Sequence, residues 1–231
     1  MALIEIREGA IFVADSHYPH QGDEFLLLLE ELYRGDRVVP QLFLMGDNFD
    51  LLFGYNEYIK HHSIEAIKLL QKLSQKLEIY YFEGNHDFLL TPIFPHIQIY
   101  PRELQPVIFT IGEMRVGLSH GDRYATGYFY NLYSKILRNR YFIWLLRPLQ
   151  KPIIDYRLKE LSTKSICGYF NELESRVERI KESYPDVDYI IEGHFHQAEI
   201  IDNYYSLPSL TCQKKIAILT NKKIKFITIK Y

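Results

Sequence analysis

Five apolar runs in this chain each end abruptly in a short polar cluster. The runs read AIFVAD, VVPQLFLMGD, IYYFEGNHD, VGLSHGD and YIIEGHFH. Their content of isoleucine, valine, phenylalanine and tyrosine is typical of buried β-strands that run into loops. Between the first three runs, apolar residues return at three- and four-residue intervals over residues 23–33 and about 57–76, which predicts two helices. Strands that alternate with helices predict an α/β fold.

The second half of the chain has a different pattern. The stretch VIFTIGEMRVGLSH predicts two strands with a turn at Gly112 and Glu113, and residues 198–231 are typical of short strands with little helix. These strands extend the expected fold to a mixed sheet or a two-sheet sandwich. We expect one domain over residues 1–231, because a chain of this length can bury one sizeable core.

A segment from about residue 123 to residue 164 interrupts the regular pattern. It is crowded with aromatic and basic residues, and only Asp155 and Glu160 oppose its positive charge. We predict a helical lid insertion, with one helical stripe made of Leu132, Tyr133, Ile136, Leu137 and Tyr141. A cationic, amphipathic lid suits an anionic lipid at a membrane surface. A packed helical hairpin with a solvated basic face fits the same pattern equally well.

The charge balance and the amino terminus narrow the expected partners and location. A formal net charge of −2 gives no support for nucleic-acid binding, because proteins that follow a phosphate backbone usually carry a strong basic excess. No protein partner is inferred. Glu5, Arg7 and Glu8 interrupt any signal peptide, and no stretch approaches the ~18 apolar residues of a membrane span. We expect a cytoplasmic protein that can lie peripherally on the inner face of the cytoplasmic membrane.

The two cysteines, Cys167 and Cys212, are single and far apart in the sequence. Their spacing indicates neither a zinc knuckle nor a disulfide framework, and it fits a reducing compartment. We therefore predict two buried thiols.

The five polar clusters carry side chains that bind metal ions. The seven predicted ligands are Asp15, His17, Asp47, Asn85, His120, His194 and His196. In open α/β sheets, ligands bind at the carboxyl ends of the strands. Side chains two apart at a strand end point to the same side, so Asp15 with His17, and His194 with His196, are each expected to share a site. No role is given to His20, His61, His62 and His96.

The chemistry of this ligand set indicates two metal ions. Imidazole, carboxylate and amide ligands without thiolates suit Mn, Fe, Zn or Ni, and we expect two divalent ions, with Mn²⁺ as the metal. Two ions about 3.5–4 Å apart can share one carboxylate and leave positions for water and substrate. Asp47, central in the chain order, is the expected bridge. Paired divalent ions neutralise a phosphate and acidify a bound water, so the pattern favours phosphoester hydrolysis.

With these motifs the chain resembles the calcineurin-like metallophosphoesterase superfamily, whose blocks here read DSH, GDNFD, GNHD, HGD and GHFH. The resemblance implies a four-layer α/β/β/α sandwich and a dinuclear site. It implies one ion on Asp15, His17, Asp47 and His196, and a second ion on Asp47, Asn85, His120 and His194. It assigns catalytic roles to His86, Asp47 and Asn85, with His86 as the candidate general acid. Asp87 would orient His86 or a loop, and an ordinary turn-forming aspartate is an equal alternative.

Within that superfamily the chain is most similar to the UDP-2,3-diacylglucosamine pyrophosphohydrolases of lipid A synthesis, on the stretches GDNFDLLFG, GNHDF and HGDRYATGYFYNLYSKILRNRYF. That group has a helical lid over an acyl-chain chamber. The similarity implies cleavage of a pyrophosphate to UMP and 2,3-diacylglucosamine 1-phosphate. Asp50 and Asp122 match positions that organise the site or meet the substrate, and the expected substrate contacts are Asn85, His86, Asp122 and Arg123. One departure is His86, where that group commonly has arginine.

Two other functions are compatible with the same residues. A nucleotide phosphodiesterase, dinucleotide polyphosphatase or phosphoprotein phosphatase would use the same metal site on another substrate. The aromatic, basic segment 128–146 argues against small soluble substrates. A metal-free binding scaffold is the other alternative, and the presence of all seven ligands argues against it.

Overall fold

The computed structural model describes residues 3–124 and 127–231, without the side chain of Tyr128. The strands in these residues are β1 (Ile4–Glu5), β2 (Ile11–Val13), β3 (Gln41–Leu44), β4 (Leu52–Phe53), β5 (Glu78–Phe82), β6 (Asp87–Phe88), β7 (Gln98–Tyr100), β8 (Val107–Ile111), β9 (Met114–Ser119), β10 (Tyr189–Glu192), β11 (Glu199–Ile201), β12 (Tyr204–Ser206), β13 (Lys215–Thr220) and β14 (Lys223–Thr228). The α-helices are α1 (Glu24–Arg34), α2 (Glu57–His61), α3 (Ile64–Leu73), α4 (Tyr128–Leu137), α5 (Arg140–Leu145), α6 (Gln150–Thr163), α7 (Leu173–Ile180) and α8 (Leu210–Gln213).

Two six-stranded mixed sheets form the centre of the molecule. Their strand orders are β1-β8-β9-β10-β12-β11 and β14-β13-β2-β3-β5-β7. Strands β2, β3 and β5 run parallel, as do β9, β10 and β12, because long connections return each chain segment to the same edge. The hairpins β8–β9 and β13–β14 are antiparallel. The expected mixed α/β architecture is confirmed.

Alternate residues of the strands face different cores. Phe12 and Phe43 point between the two sheets, where they join Phe82, Phe109 and Leu118. Their neighbours point outward, and the outer core against helices α1 and α3 consists of Ile11, Val13, Leu42, Leu44, Leu28, Leu29, Ile67 and Leu70. On the outer face of the other sheet, α7 packs Val177 in a third cluster. The layers therefore follow the expected order α/β/β/α.

The predicted helix over about residues 57–76 is two helices in the structure. The amides of His62 and Ser63 bond to carbonyls three residues back, which tightens and ends α2 before α3 begins. The side chain of Asn56 caps α2 by accepting a hydrogen bond from the Ile59 amide at 3.2 Å.

The segment predicted over about residues 123–164 is helical, as α4, α5 and α6 show, although residues 125 and 126 lie outside the described residues. The prediction of one continuous stripe from Leu132 to Tyr141 is wrong. Helix α4 ends at Leu137, and Asn139 caps the separate helix α5 by accepting a hydrogen bond from the Tyr141 amide at 2.8 Å. Among the described residues, none of the helices is long and apolar enough to cross a membrane.

The prediction of two buried thiols is also wrong. Cys167 and Cys212 form a disulfide, and Cys167 lies exposed on the connection between α6 and α7. The two residues are 45 positions apart in sequence, and only the folded chain brings their Cα atoms to 5.4 Å.

Candidate metal centre

All five polar clusters lie where a strand ends. Strands β2, β3 and β5 lead into the clusters that contain Asp15, Asp47 and Asn85, and strands β9 and β10 lead into His120 and His194. Parallel strands place their carboxyl ends at one edge of a sheet, so the clusters of each sheet are neighbours. The structure brings together the side chains that the sequence predicted as ligands.

The backbone at these strand ends is left-handed. The φ angles are 52° at Asp15, 45° at His17, 51° at Asp47, 68° at His194 and 56° at His196. A left-handed residue other than glycine costs about 1–2 kcal/mol, and such strain concentrates at functional sites. The expectation that His194 and His196 share one site is wrong, and they belong to two different groups.

The first group that could hold a metal ion consists of Asp15, His17 and His196, whose ligand atoms all lie within 4.8 Å of one another. Nε2 of His196 lies 3.2 Å from Oδ1 of Asp15. Asp15 Oδ1 and His17 Nε2 are buried, and beyond the His196 ring beside Asp15 neither atom has a hydrogen-bond partner among the described residues. Buried polar atoms are rarely left without a partner, so these two atoms fit a cation bound between them.

The second group consists of Asp47, His120 and His194, with ligand atoms again within 4.8 Å of one another. The amide oxygen of Asn85 lies 3.4 Å from Nε2 of His120. Nδ1 of His120 lies 2.9 Å from the Met45 carbonyl oxygen and donates a hydrogen bond to it, so Nε2 is left for an ion. This oxygen and nitrogen set fits a divalent metal ion.

Asp47 belongs to the second group and also interacts electrostatically with His17 of the first. Its Oδ1 accepts a hydrogen bond from the His86 amide at 2.8 Å, and its Oδ2 lies 3.4 Å from Nε2 of His120. A Cβ atom on Gly84 would lie 2.1 Å from Asp47 Oδ1, so only glycine allows this close approach. The placement agrees with the predicted bridging role, which remains a prediction.

Burial and charge determine the protonation of these side chains. Burial lowers the pKa of His17 to about 3 and that of His194 to about 4, so both rings are neutral at pH 7. Burial also acts to lower the pKa of His120, but the Asp47 carboxylate outweighs it and raises that pKa well above its usual value. Burial acts to raise the pKa of Asp47, and the neighbouring histidines His120 and His86 reverse this shift.

Asp87 organises the loops that carry the site. Its Oδ1 accepts hydrogen bonds from the amides of Asp47 at 3.0 Å and Gly84 at 2.9 Å. Its Oδ2 accepts hydrogen bonds from the Asn48 amide at 2.8 Å and the Tyr81 hydroxyl at 2.5 Å. These hydrogen bonds agree with the predicted role of orienting a loop, which stays a prediction. Tyr81 was not predicted, because its position inside β5 is typical of an ordinary core residue.

His20, which was given no role, supports the predicted general acid. The Asp50 carboxylate accepts hydrogen bonds from the His20 amide at 2.7 Å and, on the same oxygen, lies 2.8 Å from its Nδ1. The Asp50 carbonyl oxygen lies 2.7 Å from Nδ1 of His86. This contact leaves Nε2 of His86 facing Asp47, 3.9 Å from Oδ2. Asp50 thus contacts both His20 and His86, and its predicted role in organising the site or meeting the substrate stays a prediction.

Asp122 and Arg123 do not line the cavity beside Asn85 and His86. Asp122 is buried, with Oδ2 at 2.6 Å from Nε of Arg102. The Arg123 guanidinium donates a hydrogen bond to the Glu103 carbonyl at 3.0 Å. Their predicted substrate contacts stay predictions.

A cavity of about 270 Å³ lies between the GNHD loop and helices α4 to α6. Asn85 and His86 are among the residues that line it. The rest of its wall is mainly apolar and includes Phe53, Phe88, Leu137, Phe142, Ile143 and Leu146. Two guanidinium groups, those of Arg138 and Arg157, also line it. The predicted ligand Asn85 and the predicted general acid His86 therefore line a mainly apolar chamber beneath the helical segment.

Comparison with known families agrees with this geometry. The family model for calcineurin-like phosphoesterases matches residues 10–198, which is most of the chain. The chain belongs to the calcineurin-like phosphoesterase family. It is therefore a metal-dependent phosphoesterase, a hydrolase that uses divalent metal ions.

Similar proteins include a UDP-2,3-diacylglucosamine hydrolase from Chromohalobacter salexigens, 26% identical over 203 residues, which are 82% of this chain and 80% of that protein. A protein of the same name from Blochmanniella pennsylvanica is 27% identical over 221 residues, 85% of this chain and 82% of that protein. Among solved structures, a dimetal phosphatase from Danio rerio aligns with a TM-score of 0.47 at 11% identity, covering 95% of each chain.

Proposed function

We propose that this phosphoesterase hydrolyses the pyrophosphate of UDP-2,3-diacylglucosamine to UMP and 2,3-diacylglucosamine 1-phosphate. The apolar chamber that opens beside Asn85 and His86 carries the proposal. A nucleotide sugar alone has no group that would bury apolar surface there, whereas a fatty acyl chain would. The names of the relatives from Chromohalobacter and Blochmanniella support the same substrate.

The two side-chain groups would hold two divalent ions, for which we propose Mn²⁺. The proposed ligands of one ion are Asp15, His17, Asp47 and His196, and those of the other are Asp47, Asn85, His120 and His194. When bound, such ions neutralise phosphate charge and lower the pKa of a water molecule that serves as nucleophile. The left-handed strand ends and the Asp87 hydrogen bonds hold the ligands in place beforehand.

His86 would protonate the leaving oxygen. Its Nδ1 donates a hydrogen bond to the Asp50 carbonyl, so a proton carried on Nε2 is directed toward the site. His86 also lines the apolar chamber. A substrate with acyl chains in the chamber would therefore have its phosphates next to the proton donor.

The helical segment would also contact a membrane surface. Phe129, Trp144, Leu145 and Tyr156 are exposed there, although they are large and apolar or aromatic. Basic side chains at Lys135, Arg140, Arg147 and Lys151 surround them in sequence. This combination suits peripheral binding to an anionic membrane, such as the inner face of the cytoplasmic membrane, which is where a lipid substrate would reside.

A substrate panel tests the proposal. We expect turnover of UDP-2,3-diacylglucosamine to exceed that of an unacylated UDP-sugar, of dinucleotide polyphosphates and of phosphopeptides by at least ~100-fold, because those substrates leave the chamber empty. Leu137→Gln, which alters the chamber wall, should lower kcat/KM for the lipid ~10-fold or more and leave hydrolysis of bis(4-nitrophenyl) phosphate nearly unchanged.

Leu132→Gln is the matched control, because Leu132 lies on the same helix but is exposed and does not line the chamber. Equal rates on acylated and unacylated substrates, or equal effects of the two variants, would refute the lipid assignment. The metal-dependent activity on the aryl diester would remain in that case.

A further inference from the structure

The connection between α6 and α7 passes beside the GHFH cluster. It has no regular secondary structure over residues 164–170, and its Cys167 is bonded to Cys212 in α8. The carbonyl oxygen of Ile166, the residue before Cys167, accepts a hydrogen bond from Nδ1 of His196 at 3.0 Å. The disulfide therefore anchors the chain one residue away from a contact made by a predicted metal ligand.

That contact determines how His196 presents its other nitrogen. Because Nδ1 donates to Ile166, Nε2 is directed toward Asp15, where it lies 3.2 Å from Oδ1. Helix α8 holds the same residue from the other side, since Gln213 donates a hydrogen bond to the His196 carbonyl and Cys212 Sγ lies 3.8 Å from Nδ1. Losing such an outer contact of a metal-binding histidine typically weakens metal affinity ~10–100-fold.

The other side-chain hydrogen bonds to this connection are not made to Ile166. Gln197 donates to the Gly168 carbonyl at 3.2 Å and accepts from the Phe170 amide at 3.1 Å, both on the far side of the disulfide. Gln21 donates to the Leu161 carbonyl at 3.1 Å, at the end of α6, and to the Lys164 carbonyl at 3.5 Å, two residues before Ile166. The covalent bridge is thus the attachment closest to the Ile166 carbonyl among these contacts.

We propose that the Cys167–Cys212 disulfide positions His196 through the Ile166 carbonyl and thereby strengthens binding of one of the two metal ions. This inference rests on the proposed dinuclear site. A dithiol reductant opens the bridge by thiol–disulfide exchange, in which it supplies two electrons and two protons, becomes a cyclic disulfide and leaves two cysteine thiols. The reduced enzyme then holds the ion at Asp15, His17 and His196 less tightly.

The test is a Mn²⁺ titration of the metal-free full chain in three forms: oxidised, reduced with dithiothreitol, and Cys167→Ser/Cys212→Ser. A competing chelator reports the affinity of each metal equivalent, and thiol titration reports the state of the bridge. We expect one equivalent to weaken ~10–100-fold in the reduced and doubly substituted forms while the other keeps its affinity. Reoxidation should restore tight binding in the natural chain alone. Gln21→Ala is the matched control, because it loosens the same connection without touching the bridge.

The outcomes separate this inference from the proposed function. If all three forms of the protein bind two equivalents of Mn²⁺ tightly, the inference is wrong and the proposed function is unaffected. An oxidised protein that binds no divalent ion would overturn both. Parallel weakening of both equivalents, or the same weakening in Gln21→Ala, would show general loosening and would also overturn a specific role in positioning His196.

Discussion

The histidines of the metal centre differ in their protonation at neutral pH. His17 and His194 are neutral at pH 7, with pKa values of about 3 and about 4 that follow from burial. His120 keeps a proton in the metal-free protein, because the Asp47 carboxylate raises its pKa despite burial. A metal ion and this proton therefore compete for the same nitrogen.

Metal binding at neutral pH should consequently release a proton from His120. The apparent affinity for Mn²⁺ is expected to fall as the pH is lowered, because a higher proton concentration competes more strongly with the ion for Nε2 of His120. Calorimetric titrations in two buffers of different ionisation enthalpy measure the release directly. Binding enthalpies that do not depend on the buffer would contradict this prediction.

His86 is expected to matter most when the leaving group needs a proton. His86→Gln should lower kcat on a pyrophosphate substrate by ~10²–10⁴, the usual contribution of a general acid. The loss on bis(4-nitrophenyl) phosphate should be much smaller, because nitrophenolate leaves without protonation. Steady-state kinetics on both substrates provide the comparison. A similar loss on both substrates would indicate phosphate binding instead of proton transfer.

At the scale of elements, Arg138 joins the helical segment to the metal-centre loops. It follows the last residue of α4, and its Nη2 donates to the Gly84 carbonyl at 2.5 Å. Its Nη1 lies 3.7 Å from the buried carboxylate of Glu83. Burial is the main reason that the pKa of Glu83 is raised, and Arg138 opposes this shift. The end of α4 is thus held next to the loop that carries Asn85.

Removing this cation should leave Glu83 as an unpaired buried charge. Arg138→Met is expected to lower the free energy of unfolding by ~3–5 kcal/mol at pH 8, and Glu83→Gln in the same chain should restore much of it. The loss should shrink as pH falls, because a protonated Glu83 needs no partner. Urea unfolding of the single and double variants at pH 8 and pH 5 measures both effects. If the losses in the free energy of unfolding caused by Arg138→Met and Glu83→Gln simply add in the double variant, the two side chains do not stabilise each other.

At the scale of the whole molecule, the exposed aromatic and basic residues of the helical segment provide a direct test of membrane binding. Trp144 is the one tryptophan of the chain, and it is 68% exposed on α5. Vesicles that contain anionic phospholipid should shift its emission to shorter wavelength as the indole enters the interface. The shift should weaken at high salt, because electrostatic attraction contributes to binding. Neutral vesicles are the control, and the absence of any shift with anionic vesicles would refute membrane contact.

Local signals in the sequence were sufficient to predict the sheets and the approximate place of the site. An apolar run that ends in a polar cluster predicts a strand and also predicts where that strand ends. Both predictions come from residues that are close together in the sequence. Strand alternation, which is also a local signal, wrongly predicted that His194 and His196 share one group. Asp15 and His17 have the same left-handed backbone and do share a group, so neither alternation nor backbone conformation along one strand decides which ligands meet.

The contacts that support the site depended on tertiary structure. Arg138 reaches Gly84 across 54 positions, and Cys167 reaches Cys212 across 45. Leu137 lines the chamber while Leu132 on the same helix does not, a difference that helical periodicity alone did not predict. The sequence by itself determined which residues could bind metal, because that property belongs to the side chain. Only the fold decided which of them meet and what holds them, because those contacts join segments that are distant along the chain.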